Sequence, residues 1–119
     1  MVNKRYNLKK LNEIAQGDSG FIREMVATFV ENVTAEIDSI LKLKSSESWT
    51  NIAEISHKLA SNFAYLGADE LHALAVNIEK SVINDQNLSG VSEKTEKLCA
   101  SGLLLISELK KDFEIPDAD

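Results

Sequence analysis

Few side chains in this 119-residue chain could do chemistry near neutral pH: two histidines, His57 and His72, and one cysteine, Cys99. An imidazole with one ring nitrogen engaged by a hydrogen bond presents the other as a nucleophile. His57 lies in Ser56-His57-Lys58-Leu59-Ala60-Ser61-Asn62-Phe63-Ala64-Tyr65-Leu66-Gly67-Ala68, which reads as the second half of an amphipathic helix running into a tight turn. At about 100° per residue, Ile52, Ile55, Leu59, Phe63 and Leu66 cluster within about a quarter of the helical circle. His57 falls about 160° from the centre of that cluster, so it faces water and has no packing role.

Its neighbours on that face are Ser61 and Ala64, with Ala60 beside them. Small residues there leave room for a second surface to approach. A hairpin folding about Gly67-Ala68 sets position 79 opposite position 57, and position 79 is Glu79. A carboxylate in reach of one imidazole nitrogen would fix the tautomer and ring orientation. Spacing alone is equally compatible with Glu79 as a surface acid without a partner. Lys58 and Lys80 could bring positive charge near His57.

A rival chemistry is a metal site. Glu54-Ile55-Ser56-His57 has the Glu-x-x-His spacing of di-iron bundles, and Asp69-Glu70-Leu71-His72 is a near copy. Against it, Glu54 and His57 face outward, and the hairpin separates the histidines by about 10 Å. The expectation is therefore no metal, with His72 a surface or boundary residue. Cys99, beside Leu98, reads as half-buried packing. No Gly-rich phosphate loop is present, so no nucleotide site and no ATP-dependent kinase activity are expected.

The elements that must position His57 read as helices throughout. The first starts at Asn7 as N-cap, with Tyr6 and Leu11 at staple spacing, and ends at Gly17. The second is capped by Asp18 and carries Phe21, Ile22, Met25, Val26, Phe29, Val30, Val33, Ile37, Ile40 and Leu41, ending near Lys42 to Lys44. Ser48 caps the third, which carries Trp49, Ile52, Ile55, Leu59, Phe63 and Leu66 before Gly67. The fourth starts around Ala68 or Asp69 with the stripe Leu71, Leu74, Ala75, Ile78 and Val82. A polar loop from Asn84 to Gly90 leads to the fifth, with Val91, Leu98, Gly102, Leu105, Ile106, Leu109 and Phe113. Short connections predict an all-α fold, an antiparallel up-down four-helix bundle with a short N-terminal lid helix. One domain is expected over 1–119, with a core of about 6–113 and a flexible tail of about 114–119.

A net charge of -6 and a pI of about 4.9 leave no basic face for nucleic acid or an anionic membrane. The apolar run Leu103-Leu104-Leu105-Ile106 is too short to span a bilayer, and Met1 to Asn7 contains no apolar signal core. A single cysteine excludes an internal disulfide. These features point to a monomeric cytoplasmic protein, and Met1 points to a free-standing one.

The residues around the histidine resemble the histidine-containing phosphotransfer (HPt) domain of multistep phosphorelays. Its motif runs roughly His-x-Leu-Lys-Gly-Ser-x-x-x-Leu-Gly-Ala, and His57, Leu59, Leu66, Gly67 and Ala68 match in register. Gly17-Asp18, Phe21 and Phe29 resemble the start of that family's long second helix, and Glu79 stands where it usually has Glu or Gln. Ala60 stands in place of the family's lysine, and Ser61 in place of its glycine. The resemblance covers nearly all of residues 6 to 113. It implies phosphoryl relay between receiver aspartates through phosphohistidine at His57, with Glu79 orienting the ring, and a phosphotransfer intermediate rather than a conventional enzyme. The implied partners are response-regulator receiver domains and a hybrid sensor kinase, docking over Lys58, Ala60, Ser61 and Ala64. No cofactor of its own is implied; Mg²⁺ is expected on the receiver. The alternative is a non-catalytic receiver-binding module of the same fold with His57 vestigial.

Overall fold

The computed structural model describes residues 4–117. Five α-helices form among the described residues: α1 (Lys9–Ala15), α2 (Ser19–Ser45), α3 (Trp49–Tyr65), α4 (Asp69–Glu79) and α5 (Val91–Asp112). A π-helical turn, Lys80–Asn84, continues directly from α4, and no strand occurs among the described residues. The π turn is absent from the sequence reading, which runs an α-helical stripe through Val82. Ser81 and Val82 are buried within the turn.

Local chemistry explains most boundaries. The Asp18 carboxylate accepts a hydrogen bond from Phe21 N at 3.1 Å, capping α2 as its sequence predicts, and Lys42 and Lys44 sit in the last turn. Two expected caps take other forms. Asn7 lies one residue early and accepts from Lys9 N, so Leu8 holds the cap position. Ser48 holds the cap position of α3, but its hydroxyl pairs with Ser46 Oγ instead of the helix N–H groups. Asp69 and Glu70 place negative charge in the first turn of α4, where the helix dipole favours it.

The core is aliphatic around one ring. Phe63 of α3, Ile37 and Ile40 of α2, Ile78 of α4, and Leu98, Leu105 and Leu109 of α5 are fully buried. α2 packs on α3 and α5, α4 packs on α3 and α5, and α1 packs on α2. Gly102 of α5 leaves room for a side chain of α2, because a Cβ there would sit 2.7 Å from Ile37 Cδ1. Two members of the expected α2 stripe, Phe21 and Leu41, are each 45% exposed. They lie one position off the buried series Ile22, Val26, Val30, Val33, Ile37 and Ile40 and so fall on its flank.

Both ends of the described chain are fastened down. Lys4 pairs with Asp112 and Arg5 with Glu108, and the Tyr6 hydroxyl donates to Asp112 at 2.6 Å. Asn7 N donates to Leu66 O at 2.9 Å, directly over the α3–α4 turn. Gly67 is required there: its φ is +65°, and a Cβ would lie 2.2 Å from Asn7 O. The sequence reading expects a flexible tail from about 114. In the structure the Arg23 guanidinium donates to the carbonyls of Phe113 and Glu114, Ile115 packs on the core, and Asp117 pairs with Lys110. Residues 118 and 119 of that expected tail lie outside the described residues.

Candidate functional site

His57 projects from the middle of α3 with 72% of its side chain exposed. Its Nδ1 is 2.6 Å from Oε2 of Glu79, the last residue of α4. The Glu79 side chain is 34% exposed, so α3 and α4 shield one side of the pair while the far edge of the ring faces solvent. A carboxylate can only accept, so Nδ1 carries the hydrogen. In the neutral ring Nε2 then holds the free lone pair and points outward. The arrangement is an oriented, solvent-facing nitrogen nucleophile on a rigid helix.

Of the remaining candidates, Ser61 is exposed and Ala64 half-buried, leaving the ring open along one side. Lys58 is exposed on the flank toward α2, where its charge acts on Glu36. Burial pushes the Glu36 carboxyl upward, opposed by a hydrogen bond from Asn62 Nδ2 at 3.0 Å and by Lys58. Ala60 is a correction: it is 6% exposed and does not belong to a docking surface. It sits about 60° round the helix from His57, enough to turn its Cβ into the seam with α4.

The sequence reading makes His72 a surface or boundary residue, and the structure gives it a specific contact. Its Nδ1 lies 2.8 Å from the Ala60 carbonyl oxygen, so the nitrogen is the donor in a cross-helix hydrogen bond. Its ring is directed at α3 rather than at His57, and Glu54 is exposed. Cys99 is 3% exposed, and burial pushes its thiol up to about 11, which removes it as a nucleophile at neutral pH.

One feature of this face is missed by the sequence reading. Ile14, Phe21, Met25, Phe29 and Tyr65 line an apolar groove where α1, α2 and the end of α3 meet. Phe29 and Tyr65 stack with ring centroids 5.8 Å apart. Tyr65 lies about two turns, roughly 12 Å, along α3 from His57 and on the α2 side of its exposed arc. The available signal is the position of Phe21, Met25 and Phe29 on the edge of the α2 stripe.

The sequence model of the Hpt domain matches residues 24–114, from within α2 to just past α5. The chain belongs to the Hpt domain family. His57, Glu79 and the whole α3–α4 hairpin lie inside the matched Hpt region, whereas α1 lies outside it. In comparisons with curated proteins and with solved structures, nothing matches. Membership of the Hpt family places the chain in histidine phosphotransfer of two-component signalling, with receiver domains and kinases as the interacting classes. Among the described residues of this Hpt domain, no helix is long and apolar enough to cross a membrane.

Proposed function

We propose that this Hpt domain relays a phosphoryl group between receiver aspartates through phosphohistidine at His57. The observation carrying the proposal is the 2.6 Å contact of Glu79 with Nδ1 of a mostly exposed imidazole. In the forward step the Nε2 lone pair attacks phosphorus of an aspartyl phosphate. The N–P bond forms as the P–O bond to the aspartate breaks, and that electron pair leaves on the carboxylate. Donation to a second receiver reverses the roles. Glu79 stabilises the positive charge that develops on the ring and keeps Nδ1 out of the reaction. Mg²⁺ on the receiver supplies the main charge stabilisation at phosphorus, and the Hpt domain needs no cofactor of its own.

The receiver docks over Lys58, Ser61 and Ala64, flanked by the apolar groove. Small residues around His57 support this reading, because they admit a partner to within bonding distance of Nε2. The reading includes an antiparallel up-down order of α2 to α5 with α1 as a lid, supported by the short connections and by the ring of helix contacts. It also takes the protein as a cytoplasmic monomer.

The test is incubation with a phosphorylated receiver domain. An acid-labile, alkali-stable label is expected on the chain and absent from His57→Gln. Binding of receivers without any label would overturn the relay and leave a receiver-binding module, the reading that Ala60 in place of the family's lysine favours.

A further inference from the structure

Small side chains line part of the α3–α4 seam. Ala53, Ser56 and Ala60 of α3 are buried and fall within about 60° of one another, on the side that meets α4. Ala75 of α4 is fully buried, on the helix segment between His72 and Glu79. Such residues allow close approach of the two helices and add little interlocking of their own. The one hydroxyl in the α3 group, Ser56 Oγ, is buried without a hydrogen-bond partner and supplies no lock.

The site nevertheless needs α4 held in one place, because Glu79 must meet His57 Nδ1. Glu79 is the last residue before the π-helical turn, so the regular α-helical ladder supports it from the N-terminal side. His72 lies on that side, seven residues earlier, and donates from Nδ1 to the Ala60 carbonyl. The two cross-links are therefore staggered: three residues, about 4.5 Å, along α3 and seven residues, about 10 Å, along α4. One link fixes a distance between helices. Two staggered links also fix roll and slide.

We infer that His72 is a positioning residue for His57: its hydrogen bond to the Ala60 carbonyl holds α4 in the register that keeps Glu79 on Nδ1. The functional consequence rests on the reading of His57 as the phosphoryl carrier, but the geometric consequence does not. The test compares the full chain with His72→Leu, which keeps bulk without a donor, and His72→Asn, whose amide N–H takes the place of Nδ1–H. ¹⁵N-detected NMR of the His57 ring reads its tautomer, and transfer from a phosphorylated receiver reads function.

In His72→Leu the His57 spectrum shifts from the Nδ1–H tautomer toward the mixture of a free imidazole. Transfer slows roughly three- to tenfold, the range of one net hydrogen bond. His72→Asn restores both. If His72→Leu does not fold, His72→Ser, too short to reach the carbonyl, replaces it with the same expectation. An unchanged His57 spectrum in the donor-less variant overturns the inference, as does an Asn variant as disturbed as the Leu one. If the unaltered chain accepts no phosphoryl group, the relay reading fails, and the spectra still decide the positioning role.

Discussion

The two long sides of the bundle are made by different means. Between α2 and α5 the contact is bulk: Ile37, Ile40, Leu105 and Leu109 are fully buried, and Gly102 leaves room for the Ile37 side chain. Between α3 and α4 small side chains stand among the buried aliphatics, and two directional links cross the seam, His57 to Glu79 and His72 to Ala60 O. Bulk gives stability with tolerance, since buried aliphatics can repack. Small faces give proximity, and their precision comes from hydrogen bonds with a fixed donor and acceptor. In this molecule the His57–Glu79 pair sits on the side where small residues bring the helices together.

That contrast can be broken from either side. Leu105→Ala should cost about 2–5 kcal/mol of stability, as large-to-small core changes do. It should leave the His57 tautomer spectrum unchanged, because α5 carries neither link; a shifted spectrum would show the two sides to be coupled. Ala60→Leu should cost less, about 1–3 kcal/mol from overpacking. Its side chain would pry the seam apart, so phosphoryl transfer should fall further than in Leu105→Ala at equal fraction folded. Equal transfer rates in the two variants would remove the distinction between bulk and proximity.

Smaller changes sharpen the comparison. Glu79→Gln should leave urea unfolding nearly unchanged while slowing transfer about tenfold, the scale of one charge-assisted hydrogen bond. Glu36→Gln should have the smallest effect and one whose sign depends on pH. Burial raises the Glu36 carboxyl, so in the folded state it holds its proton to higher pH than in the unfolded state. Stability from that proton is complete below the unfolded carboxylate range and is lost as pH rises through the folded value. The Gln variant should therefore gain slightly in urea midpoint at pH 7, and the gain should vanish near pH 3. A loss at pH 7 would mean that the Lys58 charge and the Asn62 hydrogen bond outweigh burial.

The helices were legible because their signals are strong: three- and four-residue apolar steps, Asp18 as a cap, and Gly67 as a break. The pairing of positions 57 and 79 follows from counting outward from Gly67-Ala68. Four features were not legible, each for a physical reason. A π-helical turn has no composition of its own, and Lys80–Asn84 continues an α-like apolar pattern. The small-residue seam is silent to hydropathy, because Ala and Ser occur in cores and on surfaces alike; Ala60 therefore read as part of an exposed rim. The His72 contact ends on a backbone carbonyl, which no side-chain pattern announces. The groove at Phe21 was hidden because an aromatic residue on the edge of an apolar stripe reads as core.

The Asn7–Gly67 crossing has a consequence for the order in which the molecule assembles. The α3–α4 hairpin closes a short loop between neighbours in sequence, and such local contacts form early. The arm that crosses Gly67 is tied beyond it to Glu108 and Asp112, about a hundred residues away in the chain. During synthesis the hairpin bearing His57 can thus close long before Lys4, Arg5 and Tyr6 have Glu108 and Asp112 to fasten to. Pulse-labelling hydrogen exchange should find amide protection in residues 49–79 earlier than at Arg5, whose N–H donates to Glu108.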